Sequence, residues 1–159
     1  RWKMEAEIPS NAKNLTVKRV EENIDEICGE VDFVFSALDM DRQKIKEIEE
    51  RYASKGIPVV SLNSSHRMTG DVPMIIPEIN HEHTKLIDAQ KKNRKWDGFI
   101  AVKPNCSIQG YVPIIKSLEK YKPKKVFVTT LQAVSGAGKT LAGWPEMEEN
   151  VIPFIRNEE

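Results

Sequence analysis

Cys106 is the residue of this 159-residue sequence that is best placed for covalent chemistry. It follows an apolar segment, 98–102, that is typical of a buried strand, and it precedes a helical pattern from 107 to 121. Backbone N–H groups and the helix dipole at a helix N-terminus stabilise a nucleophilic thiolate. Position alone leaves two interpretations open: Cys106 is a nucleophile, or it packs as a small apolar residue. Cys28 lies in an apolar helical stripe, so we expect it to be structural.

Small or polar residues follow each of the apolar segments that we predict to be strands, at 31–36, 58–62, 98–102 and 125–130. Ligands of parallel sheets bind beyond the carboxyl ends of the strands, so these residues are predicted to share one edge. The Gly-rich turn at 135–138 would let backbone N–H groups approach a phosphate, although the sequence contains neither GxGxxG nor a Walker motif. The candidate residues at this edge are Ser36, Asn63, Asn105, Gln132, Ser135, Gly136, Ala137 and Gly138.

Two basic residues could bring positive charge to the same edge. Arg67 follows the segment 63–66 and offers a guanidinium fork for phosphate or carboxylate, or it is simply an exposed arginine. Lys103 lies two residues before Asn105, and solvation is its alternative. The run His81-Glu82-His83 lacks the spacing of a helical zinc motif, so we expect a solvated helix start and no metal site.

The predicted strands alternate with helical patterns at 39–54, 81–93, 107–121 and 145–155. A strand, a helix and a strand within about 30 residues form a crossover unit, which pairs its strands in parallel. We therefore predict an α/β fold with a mainly parallel sheet.

The composition excludes several classes of protein. Lys and Arg total 24 and Asp and Glu total 24, so the net charge of zero gives no general attraction to nucleic acid or anionic membrane. No apolar run reaches the ~18 residues that a membrane span requires, and no signal peptide is recognisable at the start. We expect a soluble, cytoplasmic chain without a nucleic-acid or membrane partner.

Two motifs, KPNCS at residues 103–107 and LQAVSGAG at residues 131–138, together closely resemble those of aspartate-semialdehyde dehydrogenase. The spacing between the two motifs fits as well. The resemblance extends over residues 29–159 and includes the segments 35–38, 63–68, 71–73, 77–80 and 150–154.

This resemblance implies reversible, NADP-dependent reductive dephosphorylation of L-4-aspartyl phosphate to L-aspartate 4-semialdehyde, in lysine, threonine and methionine biosynthesis. The implied partners are this small-molecule substrate and inorganic phosphate, and the implied full-length enzyme is a homodimer or homotetramer. Cys106 matches the nucleophile that forms a thioester, Gln132 the glutamine that orients substrate, and Asn105 the active-site asparagine.

The remaining site residues follow from the same match. Arg67 matches the phosphate-binding arginine, and Lys103 would add positive charge beside it. Glu158 and Glu159 fall near the substrate-binding glutamate. Residues that fall where the family contacts the cofactor are Ser36, Asn63, Ser135, Gly136, Ala137 and Gly138.

The resemblance also implies the domain organisation. Residues 1–105 would form part of a Rossmann-like NADP-binding domain, and residues 106–159 would begin an α+β catalytic and dimerisation domain. The family's Gly-rich dinucleotide loop would precede Arg1, and its general-base histidine and carboxylate-binding arginine would follow Glu159. We therefore expect residues 1–159 alone to be inactive. The alternatives are a paralogous acyl-CoA or acyl-phosphate reductase, and a catalytically incomplete fragment of this fold.

Overall fold

The computed structural model describes residues 5–137 and 139–153. The chain divides into two compact units. The first comprises the described residues up to Met74 together with Glu82–Lys103, and the second comprises Ile75–His81 together with the described residues from Pro104 onward.

The first unit is built on a parallel sheet, as the sequence predicts. Its strands are β1 (Val34–Ser36), β2 (Val59–Ser61) and β3 (Ile100–Val102), hydrogen-bonded in the order β1-β2-β3. Val34 lies opposite Val59, which in turn lies opposite Ile100. The strands are shorter than the predicted segments, but single hydrogen bonds extend the pairing of β1 with β2 at both ends, from Val34 N to Pro58 O and from Leu62 N to Ser36 O.

Helix α2 (Arg42–Ser54) connects β1 to β2. It begins later than the predicted residue 39 because Asp41 is its N-cap, whose carboxylate accepts hydrogen bonds from Gln43 N and Lys44 N at 2.9 and 3.3 Å. Beyond its end, Gly56 takes a φ of +87°, a left-handed conformation that glycine adopts without strain. The crossover unit of the sequence prediction is thereby confirmed.

The core of the first unit lies between the sheet and its helices. Gly98 is required by this packing, because a Cβ there would lie 2.6 Å from the carbonyl oxygen of Ala53. Helix α1 (Val20–Cys28) contributes Ile24 to this core. The sequence indicated only an apolar stripe in this segment. The buried core residues are Ile24, Ile48, Tyr52, Ala53, Ile57, Val59, Val72, Ile100 and Val102.

The predicted helix at 81–93 is two segments, a 3-10 helix at His81–Lys85 and α4 (Leu86–Arg94), and an unpredicted short helix α3 (Pro77–Asn80) precedes them. Helix α3 begins at Pro77, a residue type that is tolerated at the first position of a helix. Gln90 of α4 is fully buried and pairs with β3, donating to Ile100 O at 3.0 Å and accepting from Ile100 N at 2.7 Å. The Gln90 amide therefore supplies hydrogen-bond partners to the backbone N–H and carbonyl groups of Ile100 in the edge strand β3.

The second unit contains α5 (Cys106–Ser117), followed by a 3-10 helix at Glu119–Tyr121. The predicted strand at 125–130 is wrong: among the described residues no segment pairs with it, and Phe127 is 92% exposed. A strand needs a hydrogen-bonded neighbour, which sequence periodicity does not supply.

The predicted helix at 145–155 is also wrong over its described part. It is limited to a 3-10 helix at Pro145–Met147, and Glu149 has a φ of +53°. Pro153 lies inside the predicted span, where it removes a backbone donor and disfavours helical angles at residue 152. Residues 154 and 155 lie outside the described residues.

Within the described ranges, no helix is long and apolar enough to cross a membrane. Those same residues also contain no group of three or more His, Cys, Asp or Glu side chains arranged to hold a metal ion.

Candidate active site

The carboxyl ends of β1 and β2 bring together two predicted cofactor residues, Ser36 and Asn63. The amide nitrogen of Asn63 donates to the hydroxyl oxygen of Ser36 at 3.0 Å and to its carbonyl oxygen at 3.3 Å. Ser36 is buried and Asn63 is half-buried. A hydroxyl and an amide therefore lie side by side at the sheet edge where ligands of parallel α/β folds bind.

The sequence analysis missed a buried carboxylate that accepts a hydrogen bond from the Asn63 member of this pair. Glu49 of α2 has no exposed surface, and its Oε1 accepts from Ser61 Oγ at 2.6 Å and from Asn63 Nδ2 at 3.2 Å. The signal was present in the sequence, because residue 49 is four positions after Ile45 and three before Tyr52, on the apolar face of a helix.

His66 is the second buried polar residue beside this network. Its side chain is 1% exposed, and its Nε2 lies 3.8 Å from Glu49 Oε2, beyond hydrogen-bond distance. Neither of these two atoms has a hydrogen-bond partner among the described residues. Burial lowers the pKa of His66, and the nearby Glu49 carboxylate opposes that shift. Burial therefore favours the neutral form of the imidazole.

The two predicted basic residues contact each other in the first unit. Arg67 is half-buried, and its Nε donates to the backbone carbonyl oxygen of Lys103 at 3.3 Å. Arg42 holds the same loop, with its Nη2 donating to Ser64 O at 3.0 Å. The guanidinium of Arg67 is thereby fixed through one nitrogen to the end of β3, rather than fully exposed.

The predicted nucleophile lies at the start of α5 in the second unit. Cys106 is the first residue of the helix and is exposed. Asn105 is the N-cap, and its side-chain oxygen accepts from Ser107 N at 2.8 Å. Exposure of Cys106 argues against the alternative that it packs as a small apolar residue.

Gln132 contacts the same helix turn as Cys106. Its Nε2 donates to the hydroxyl oxygen of Ser107 at 2.9 Å, although the two residues are 25 positions apart in sequence. The second unit thus brings Asn105, Cys106 and Gln132 together around the N-terminus of α5. Side chains of these types fit a thiol nucleophile with neutral amides to orient an acyl group.

The other predicted residues differ in what the structure describes. Ser135, Gly136 and Ala137 lie in a 3-10 helix at Val134–Ala137, where Ser135 is exposed. Gly138, Glu158 and Glu159 lie outside the described residues.

Comparison with protein-family models gives a match to the description "Semialdehyde dehydrogenase, NAD binding domain" over residues 1–87, more than half of the chain. An aspartate-semialdehyde dehydrogenase of Archaeoglobus fulgidus is 41% identical over 99% of this chain and 44% of its own length. A malonyl CoA reductase (NADP) of Metallosphaera sedula is 35% identical over 97% of this chain and 42% of its own.

A solved structure of aspartate semialdehyde dehydrogenase with NADP from Candida albicans has a TM-score of 0.72 and 31% identity, over 99% of this chain and 44% of that one. The chain therefore spans less than half the length of the relatives that it matches. The resemblance predicted from the sequence motifs is confirmed, and the chain belongs to the semialdehyde dehydrogenase family.

Proposed function

We propose that the protein containing this chain is an aspartate-semialdehyde dehydrogenase that uses Cys106 as its nucleophile. The observation that carries the proposal is the arrangement at the start of α5, where an exposed Cys106 lies beside Asn105 and the Ser107-bound Gln132.

The covalent chemistry takes place on the sulfur of Cys106. In the oxidative direction the thiolate attacks the aldehyde carbon of L-aspartate 4-semialdehyde and forms a thiohemiacetal. Loss of hydride from that carbon gives a thioester, and inorganic phosphate displaces the thiolate to release L-4-aspartyl phosphate. The biosynthetic direction, towards lysine, threonine and methionine, is the reverse reduction. Gln132 and Asn105 orient the acyl group during these steps.

NADP is the hydride carrier in this proposal: when bound, it accepts hydride from the thiohemiacetal or returns it to the thioester. The side chains at the strand ends fit such a group. Ser36 supplies a hydroxyl and Asn63 supplies an amide, and both can form hydrogen bonds with the hydroxyl and amide donors of NADP. We propose that Ser135, Gly136, Ala137 and Gly138 complete the cofactor contacts through backbone N–H groups and the Ser135 hydroxyl.

Phosphate and substrate would be held by basic and acidic groups of the same chain. Arg67 is proposed to bind phosphate, supported by its half-buried position beside Lys103, which adds positive charge. Glu158 and Glu159 are proposed to contact the substrate ammonium group.

The same proposal covers organisation and location. Residues 1–105 belong to the NADP-binding domain and residues 106–159 to the catalytic and dimerisation domain of a cytoplasmic homodimer or homotetramer. The domain boundary in this proposal is supported by the division of the chain into two compact units, the second of which includes the described residues from Pro104 onward.

The test is a steady-state assay of the full-length protein with aspartate semialdehyde, phosphate and NADP. The absorbance of NADPH measures the rate. We expect turnover that requires all three substrates, and its loss in Cys106→Ser with unchanged NADPH binding. The matched control is Cys28→Ser, which should retain activity. Turnover in Cys106→Ser would contradict the proposal.

A second candidate is favoured by one observation, the 35% identity with the malonyl CoA reductase of Metallosphaera sedula. That reaction would use the same thiol with a CoA thioester in place of an acyl phosphate. It is distinguished by comparing kcat/KM for malonyl-CoA and for aspartyl phosphate with NADPH in one preparation. A larger value for malonyl-CoA would replace our first assignment.

A further inference from the structure

Glu49 is buried at a position that helix packing alone would fill with an apolar side chain. Its neighbours on the buried face of α2 are Ile45, Ile48, Tyr52 and Ala53, and Glu49 itself has no exposed surface. Burying a carboxylate is costly unless hydrogen bonds compensate for the lost water. The bonds that Glu49 accepts therefore indicate what the carboxylate does.

Both donors to Glu49 lie at the carboxyl end of β2: Ser61 is its last residue and Asn63 follows it. Ser61 Oγ donates at 2.6 Å and Asn63 Nδ2 at 3.2 Å, both to Oε1. Ser61 Oγ also accepts from the backbone N–H of Asn63 at 3.1 Å. Residue 63 is thus held to the carboxylate twice, once directly through its side chain and once through Ser61.

These contacts fix which end of the Asn63 amide faces the protein. Nδ2 lies within hydrogen-bond distance of three acceptors: Glu49 Oε1, the Ser36 hydroxyl oxygen and the Ser36 carbonyl oxygen. The opposite orientation would bring Oδ1 against a carboxylate and a carbonyl oxygen, where like partial charges repel. The amide oxygen is consequently directed away from this network.

We propose that Glu49 is a positioning residue of the cofactor site. Its buried carboxylate holds Asn63 so that the amide oxygen accepts a hydrogen bond from a hydroxyl or amide donor of NADP at the carboxyl end of β2. The inference rests on the proposed function, and it adds a residue outside the site whose role is geometric. Binding of the cofactor should depend on it, while the chemical step at Cys106 should not.

The test measures NADPH affinity of the full-length protein by fluorescence titration, together with KM and kcat. Glu49→Met keeps a similar volume but accepts no strong hydrogen bond, so we expect the dissociation constant to rise about tenfold with kcat within about twofold. Glu49→Gln retains an oxygen acceptor and should restore affinity to within about threefold of wild type. Glu47→Met, at an exposed position of the same helix, is the matched control and should bind NADPH normally.

A double-mutant cycle separates positioning from general destabilisation. Asn63→Ala should weaken NADPH binding about as much as Glu49→Met, and the double variant should be no weaker than Asn63→Ala alone. If the losses of NADPH affinity in the two single variants multiply in the double variant, the inference is overturned. If Glu49→Met does not fold, Ser61→Ala replaces it in the titration, with an expected loss of about threefold.

The outcomes distinguish this inference from the proposed function. Wild-type protein that fails to bind NADPH would overturn the assignment of the cofactor itself. If the wild-type protein binds NADPH and Glu49→Met binds it with the same affinity, only the role of Glu49 is overturned. The same conclusion holds for Ser61→Ala where that variant is used instead. Equal losses in Glu49→Met and Glu49→Gln would assign the effect to charge and would also contradict positioning by hydrogen bonds.

Discussion

Gln132 donates a hydrogen bond of 2.9 Å to the hydroxyl of Ser107, the residue that follows Cys106 at the start of α5. If Gln132 orients the acyl group on Cys106, Gln132→Ala should lower kcat by about 10²-fold and leave the KM for NADP within about threefold of wild type. Stopped-flow and steady-state NADPH formation in the full-length protein provide both parameters.

Ser107→Ala is the matched variant for this relationship, because it removes the anchor of Gln132 and leaves the glutamine in place. Its kcat should fall by about tenfold, less than in Gln132→Ala. An unchanged kcat in Gln132→Ala with a raised KM for NADP would instead assign Gln132 to the cofactor site.

The two cysteines should differ in their rates of alkylation. Cys106 is exposed at a helix start, whereas Cys28 is half-buried and burial raises the pKa of its thiol. Because the thiolate is the reactive form, limited iodoacetamide at pH 7 should label Cys106 first. Peptide mapping by mass spectrometry measures both sites, and preferential labelling of Cys28 with parallel loss of activity would be inconsistent with our assignment.

Arg67 should be needed for phosphate rather than for cofactor. Its guanidinium is fixed through Nε to Lys103 O, and lysine cannot reproduce both that bond and a paired contact with phosphate. We expect Arg67→Lys to raise the KM for phosphate about tenfold or more, with NADPH affinity unchanged. Arg51→Lys, at an exposed position of α2, is the control. A normal KM for phosphate in Arg67→Lys would exclude this role.

Asp71 and Arg94 should give the first unit an acid-sensitive contribution to stability. Arg94 donates to both carboxylate oxygens of Asp71, at 2.6 and 2.8 Å, and lowers the pKa of Asp71 from its usual 3.8. A lowered pKa stabilises the fold above the unfolded-state value, and the contribution is lost as the pH falls through the folded-state value.

Asp71→Asn should therefore reduce the unfolding free energy by about 1–2 kcal/mol at pH 7, and by less below about pH 4. Thermal or urea unfolding between pH 3 and pH 7 measures this difference. Asp88→Asn, an exposed position of α4, should show neither effect. A loss in Asp71→Asn that is equal at every pH would mean that the ion pair is not its origin.

Local sequence patterns predicted the first unit well, because its strands and crossover helix combine apolar runs with clear end signals. The end of α2 lies where it was predicted, just before Gly56, whereas its start was predicted at 39, two residues before the N-cap Asp41. The same reasoning failed at 125–130, because strand formation depends on a neighbour that no local pattern specifies. It also gave too little weight to Pro153, which disfavours a continuous helix through the end of the predicted span.

The candidate site was predicted to a similar extent. Motifs identified Cys106 and Gln132, but their connection through Ser107 depends on the path of 25 intervening residues and is visible only in the structure. Glu49 was overlooked because charged residues are abundant in α2 and exposure is their usual state. Its place on the apolar face, between Ile48 and Tyr52, distinguishes it from its charged neighbours.

The acyl-enzyme on Cys106 tests the central claim most directly. The full-length protein is mixed with aspartate semialdehyde and NADP in the absence of phosphate, acid-quenched and analysed by peptide mass spectrometry. We predict a burst of about one NADPH per active site and an aspartyl adduct on the peptide that contains Cys106, with both absent in Cys106→Ser. A burst that persists in Cys106→Ser, or an adduct on any other residue, would contradict the account.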